Sequence, residues 1–228
     1  MIVYGKQIVF YLLKKHPNRV AKILIAKALD DKQFHEMHQY NIPVERISEK
    51  YAQLLSKSGN HQGYLCEIEE VSFLPIKMLK SNQFILVLDG VSDVGNIGAM
   101  IRTAYALGVD SIVITGLRKI QQEGIARSSA GAFFDMAIFH HENILDLINT
   151  LKTMQFTLYG AAMNGQNINQ LGSKNGKIAL IMGSEGSGIN KKVLNRIDTK
   201  VSIPMVHGFD SLNVSVAAGI IINRIKND

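Results

Sequence analysis

Apolar residues recur at helical spacing over residues 5–15, where Ile8, Leu12 and Leu13 fall on one face. The run Val20-Ala21-Lys22-Ile23-Leu24-Ile25 predicts a strand, followed by a short helix over 31–39 and a second strand near Val44–Ile47. Ser48 is placed to cap a helix that runs to about Ser56. Gly59-Asn60 marks a turn, and Gln62–Ile68 reads as a strand that holds the single cysteine, Cys66, as a buried residue. Residues 1–70 thus form a compact α/β unit. Residues 71–82 have no clear period and are expected to be a linker, the alternative being a strand and short helix of the first unit.

From residue 84 the strands become continuous apolar runs, the mark of burial on both faces. Phe84–Leu88 leads into Asp89-Gly90, then a helix over 97–107 with Ile97, Met100, Ile101, Ala104 and Leu107 on one stripe. Further strands are predicted at 111–114, 134–139, 156–161 and 178–182, with helices near 122–129, 144–153 and 213–226. Strands alternating with helices predict a mostly parallel sheet covered on both sides, in a domain spanning 83–228.

Composition adds bounds. One cysteine excludes an internal disulfide and a cysteine metal cage. The opening residues do not read as a signal peptide, and no run of about 18 apolar residues exists, so a cytoplasmic protein without a membrane span is expected. Net charge is +6, with 12 Lys/Arg against 8 Asp/Glu in residues 1–80. A basic first third favours a polyanionic partner such as nucleic acid, although at this magnitude it also serves solubility. His35 and His38 lie three apart on a predicted helix with no third ligand in view, and the nine methionines read as core filler.

Three segments carry candidate chemistry. In the first, a strand ends in a glycine-rich turn, Gly90 to Gly98, that opens a helix bearing Asn96 and Arg102. Such turns present backbone N–H groups to anions, and Arg102, off the apolar stripe, has the fork geometry for a phosphate. The glycine spacing is neither the dinucleotide fingerprint nor a P-loop. In the second, the buried strand Ile178–Met182 runs into Gly183-Ser184-Glu185-Gly186-Ser187-Gly188, a loop with one carboxylate among glycines. In the third, a strand stops at Pro204, an irregular loop follows, and Ser211 or Asn213 caps the closing helix. That helix contains Gly219, which costs roughly 1 kcal/mol relative to alanine unless something must approach it closely.

In this order and spacing the three segments resemble the signature motifs of the SpoU-type ribose 2′-O-methyltransferases of the SPOUT superfamily. Asn96 and Arg102 match the first motif, Glu185 the second, and Ser211 with Asn213 the third. Tyr4-Gly5, His61-Gln62-Gly63 and Ser129-Ala130-Gly131 extend the resemblance to the bacterial enzymes that methylate a guanosine ribose in 23S ribosomal RNA. Two positions depart from the pattern: His207, followed by Gly208, stands where glycine is usual, and Val94-Gly95 replaces a frequent Pro-His pair.

The resemblance implies a small N-terminal RNA-binding domain and a C-terminal domain with a deep trefoil knot. It also implies a homodimer in which one subunit's arginine serves the other's pocket. The implied methyl donor is S-adenosylmethionine, contacted by Met182, Gly183, Ile203, Met205 and Leu212, with no metal. Asn96, Arg102, Glu185, Ser211 and Asn213 are the implied catalytic set. The family assigns the base role to the arginine; because a guanidinium is a poor proton acceptor, holding a phosphate and stabilising an alkoxide is the cheaper role for Arg102. A transfer-RNA ribose methyltransferase is the alternative substrate reading. A non-catalytic RNA-binding ribosome-assembly factor is the alternative of another class, and absence of S-adenosylmethionine binding in calorimetry would favour it. A nucleotide-dependent oxidoreductase lacks its fingerprint.

Overall fold

The structure is a computed structural model that describes residues 1–172, 176–207 and 210–227; Gly208 and Phe209 of the third segment lie outside them. The element order is β1 (Ile2–Tyr4), α1 (Lys6–Lys15), β2 (Val20–Ile25), α2 (Asp31–His38), β3 (Val44–Arg46), α3 (Glu49–Leu55) and β4 (Tyr64–Ile68). It continues with β5 (Phe84–Asp89), α4 (Val94–Ala106), β6 (Ser111–Thr115), α5 (Gln122–Ser128), α6 (Ala132–Asp135), β7 (Ala137–His141) and α7 (Ile144–Thr153). The last elements are β8 (Phe156–Asn167), β9 (Lys177–Met182), α8 (Lys191–Leu194), β10 (Thr199–Ser202) and α9 (Val214–Asn227). The chain divides into two compact units, one made of 1–72 with 121–134, the other of 73–120 with 135–228.

In the first unit the sheet order is β1-β4-β2-β3, with β4 antiparallel to both neighbours and β3 parallel to β2. Alternation along the strands dresses both faces. Leu24 and Leu65, paired in register, pack with Ala52 of α3. Tyr64 points the other way and meets Phe10 of α1 edge-on, with ring centroids 5.6 Å apart. The α1 stripe, Ile8, Val9, Leu12 and Leu13, is buried. Ser48 caps α3 as expected, accepting from the Tyr51 N–H at 3.2 Å. Cys66 is buried in β4, where desolvation pushes its thiol up to about 12, so it stays a protonated, inert core residue near neutral pH. The segment 121–134 joins this unit through Gln122, which exchanges hydrogen bonds with the Val71 backbone at 2.8 and 2.9 Å, and through Arg127, stacked over the Tyr4 ring at 4.7 Å.

The second unit holds a six-stranded sheet of order β10-β8-β9-β5-β6-β7, in which every pairing is parallel. The apolar runs in the sequence are these central strands. Ile85, Val87, Val113, Phe139, Leu158, Ala179 and Ile181 point to one face, where Leu147, Ile148 and Leu151 of α7 cover them. Leu86, Leu88, Ile112, Ile114, Leu180 and Met182 are left for the opposite face, on which α9 packs against β9 and α4 against α9. Gly219 explains itself there: a Cβ would lie 3.3 Å from Thr103 Cγ2 of α4. Residues 73–82 are part of this unit; Leu74 bridges to Phe139, and Leu79, in a 3-10 turn over Ile76–Ser81, is fully buried in the core. Among the described residues no helix is long and apolar enough to cross a membrane.

Candidate active site

All strands of the second sheet run the same way, so their carboxyl ends share one edge, where loops of an open α/β sheet bind ligands. The three chemical segments leave from this edge. Asp93 ends the turn after β5 and caps α4, its carboxylate accepting the Asn96 N–H at 2.7 Å. The cap fixes Asn96 on the first turn with its amide free to face the loop after β9. There the Asn96 amide donates to Glu185 Oε1 at 2.5 Å. Asn213 completes the cluster, donating through Nδ2 to Asn96 Oδ1 at 3.0 Å and to Glu185 Oε1 at 3.2 Å. Three residues from distant parts of the chain thus share one hydrogen-bond network.

The supports are equally specific. Asn213 Oδ1 accepts from Ser215 N at 2.9 Å and Ser215 Oγ at 2.6 Å, capping α9 while Nδ2 serves the cluster. The glutamate loop is folded back on itself by a Ser184–Gly188 bridge and a 2.5 Å contact between the Ser184 and Ser187 hydroxyls. Gly183 is needed for close approach: a Cβ there would collide with the backbone of Gly188 and Ile189. Farther on, Ser202 donates to the Gly165 carbonyl at 2.8 Å, which pins the end of β10 before the third segment begins. His207, at the position where glycine is usual, holds a left-handed φ of 64°. Glycine adopts that conformation without steric cost, and histidine tolerates it better than branched residues do.

Of the expected set, Asn96, Glu185 and Asn213 touch. Arg102 is exposed on α4, six residues after Asn96, and makes no hydrogen bond or ion pair among the described residues. Ser211 is exposed just ahead of Asn213 and likewise has no polar partner among the described residues. Met182 is buried at the end of β9 and Gly183 follows it. Leu212 and Ile203 are half-buried, whereas Met205 is 37% and Val206 72% exposed. Leu212 directly precedes Asn213, and Gly183 stands two residues before Glu185. Sequence reading missed Asp93, Ser184, Ser187 and Ser215. Asp93 stands three before Asn96, the spacing of an N-cap, and could have been found by that signal. The serine pair that closes the glutamate loop has no periodic signature.

Asn213→Ala should lower stability by about 1 kcal/mol through the lost α9 cap. Asn213→Asp keeps the cap but sets a carboxylate beside Glu185, which raises the pKa of one of the pair above its unfolded value. Its stability deficit should therefore shrink as pH falls through that raised value, a trend that thermal unfolding from pH 7 to pH 4 would read. A deficit that is constant with pH would refute the placement.

A parallel α/β domain with this polar cluster at its carboxyl edge, joined to a small α/β unit, defines a two-part RNA-modifying protein once the comparisons are added. The SpoU rRNA methylase family profile matches residues 83–223, and that for RNA 2′-O ribose methyltransferase substrate binding matches residues 2–74. The chain belongs to the SpoU rRNA methylase family. It is 31% identical over 235 residues to the 23S rRNA (guanosine-2′-O-)-methyltransferase RlmB of Haemophilus ducreyi, covering 98% of this chain and 96% of that one. Its identity to RlmB of Escherichia coli is 29% over 230 residues, covering 96% and 95%. In fold it is similar to an AdoMet-bound rRNA methyltransferase from Sinorhizobium meliloti, with TM-score 0.79 at 21% identity over 98% of this chain and 85% of that one. The SpoU methyltransferase AviRb of Streptomyces viridochromogenes, solved with AdoMet, gives TM-score 0.80 at 19% identity over 99% and 88%.

Proposed function

We propose that this protein transfers a methyl group from S-adenosylmethionine to the ribose 2′-hydroxyl of a guanosine in 23S ribosomal RNA. The observation that carries the reading is the hydrogen-bonded meeting of Asn96, Glu185 and Asn213, the family's motif residues, at one sheet edge. The relatives' names supply the substrate.

The residues present fit an adenosyl donor. Half-buried Ile203 and Leu212 and exposed Met205 offer apolar side chains, and Gly183 offers a folded-back backbone, the mixture such a site needs. The donor supplies an electrophilic sulfonium methyl, open to in-line attack. The chain must then orient the ribose and ease the loss of its hydroxyl proton. Asn96, Glu185 and Asn213 hold the loops and supply donors and an acceptor around the sugar, which gives near-attack placement. Ser211, next to the cluster, adds a hydroxyl within the same loop. Arg102 holds the RNA phosphate in its fork and stabilises the developing alkoxide, a role open to a guanidinium that stays charged.

The first unit, most of which the substrate-binding profile matches, is assigned to RNA binding. The cytoplasm, where ribosomal RNA is made in the bacteria that carry the relatives, is the assigned compartment. The inserted strand order, with β9 between β8 and β5, supports the knotted path expected of the superfamily. A homodimer is supported by the outer surface of the α4–α9 pair, where Tyr105, Val216 and Ile220 are exposed large side chains on adjacent packed helices. If Arg102 of one subunit serves the other's donor pocket, mixing an Arg102→Ala chain with a Gly183→Ala chain should restore up to about a quarter of wild-type activity by random pairing. A mixture as inactive as its parents argues against the shared site.

Mass spectrometry of ribosomal RNA from cells lacking the protein tests the function as a whole. One missing guanosine ribose methyl in 23S rRNA is expected; an unchanged 23S rRNA, or a loss confined to transfer RNA, would overturn the substrate.

A further inference from the structure

The strands of the second sheet are apolar until their last residues, and three of those ends form a polar row. Asp89 of β5 is in register with Thr115 of β6, which is in register with His141 of β7. Register partners on parallel strands share a face, so the three side chains line one side of the edge at successive strand spacings of about 4.8 Å. Asp89 and His141 are half-buried, and Gly116 above them is exposed. The fold leaves this row unused. The Asp89 carboxylate has no hydrogen-bond or ionic partner among the described residues. The Thr115 hydroxyl is fully buried with no partner, an arrangement that native structures rarely leave unexplained. His141 Nδ1 accepts the Asn143 N–H at 3.3 Å, which assigns the ring hydrogen to Nε2 and leaves it free to donate.

The β5 end of the row adjoins the glutamate loop. Gly90 follows Asp89, and a Cβ on Gly90 would lie 3.9 Å from Ser184 Cβ, next to Glu185. A ribose at Glu185 would put its base within reach of the end of β5. Burial pushes the Asp89 carboxyl above the ordinary carboxylate range, a cost that N–H donors from a ligand would offset.

We propose that Asp89 and His141, with Thr115 buried between them, read the base of the target nucleotide, the Asp89 carboxylate accepting N1–H and N2–H of guanine while His141 Nε2–H faces O6. The inference rests on the proposed ribose methylation and adds the residues that choose the base. A carboxylate only accepts hydrogen bonds, and guanine alone among the four bases presents two adjacent donors on its Watson–Crick edge. Adenine and cytosine set a lone pair against the carboxylate, and uracil flanks its single donor with two carbonyls. The order of the row, an acceptor at one end and a donor at the other, follows the order of guanine's edge.

The test uses the full-length protein and 23S rRNA transcripts carrying guanosine, inosine or adenosine at the mapped target. Inosine removes only the N2 amino group. For the wild type, kcat/KM for inosine should fall about 10- to 100-fold below that for guanosine, the range of one good bidentate base contact. In Asp89→Ala the two should become equal. Asp89→Asn, which offers a donor beside an acceptor, should shift preference toward adenosine. The ratio within one variant does not depend on how much of it is folded, and the wild-type ratio needs no variant at all. Equal use of inosine and guanosine by the wild type, or an unchanged ratio in Asp89→Ala, overturns the inference while leaving ribose methylation in place. No ribose methylation of any RNA overturns both.

Discussion

Arg102→Ala should lower turnover by about 10²- to 10³-fold, the usual effect of removing one group that stabilises developing charge. Donor affinity should not change, because the donor contacts assigned above lie on the segments around Gly183, Ile203 and Leu212. Folding stability should also hold within about 0.5 kcal/mol, since Arg102 is exposed and makes no polar contact among the described residues. Arg102→Lys keeps the charge but loses the planar fork, so rescue should be poor. Calorimetry with S-adenosylmethionine alongside a transfer assay separates the two readouts. Near-normal turnover in Arg102→Ala would refute both the phosphate-holding role and the base role.

Gly183→Ala is expected to be the most damaging single methyl group in the second unit. The added Cβ meets backbone atoms of Gly188 and Ile189, which cannot rotate away as a flexible side-chain end would. The loop must open, and with it the Ser184–Gly188 bridge that presents Glu185. A loss of roughly 2–4 kcal/mol is expected, the upper range for overpacking a tight site, together with loss of donor binding. Gly172→Ala is the matched control, because a Cβ there meets nothing within 4 Å. Equal melting temperatures for the two variants would mean that the loop is not folded back as described.

Much of this architecture was legible because burial writes a plain pattern. The central strands β5, β6 and β9 are continuous apolar runs, and the helix expected over 144–153 is α7 with those bounds. Ser48 announced α3. The poorly read elements are those whose residues serve two purposes. β8 runs to Asn167, beyond the expected end near 161, because its polar second half pairs with β10 after a register shift at Lys200/Val201. The short helices α6 and α8 have four residues each, too few to set up a period.

In the site, the motifs located Asn96, Glu185 and Asn213, but their meeting depends on long-range folding that no spacing encodes. Ser211 and Arg102 were equally legible as motif residues, yet they are exposed and make no hydrogen bond to the network among the described residues. The polar row at Asp89, Thr115 and His141 escaped notice because each residue alone reads as a strand end. Only the register of three parallel strands aligns them.

The central claim is that the edge around Asn96, Glu185 and Asn213 delivers a methyl group to an RNA sugar oxygen. It is tested most directly by incubating the purified protein with unmodified 23S rRNA and methyl-labelled S-adenosylmethionine, then hydrolysing the RNA in alkali. A 2′-O-methyl group blocks attack on the adjacent phosphodiester, so the account predicts label in a single alkali-stable dinucleotide that contains guanosine. Label released in mononucleotides, as base methylation would give, or no label at all, would contradict it.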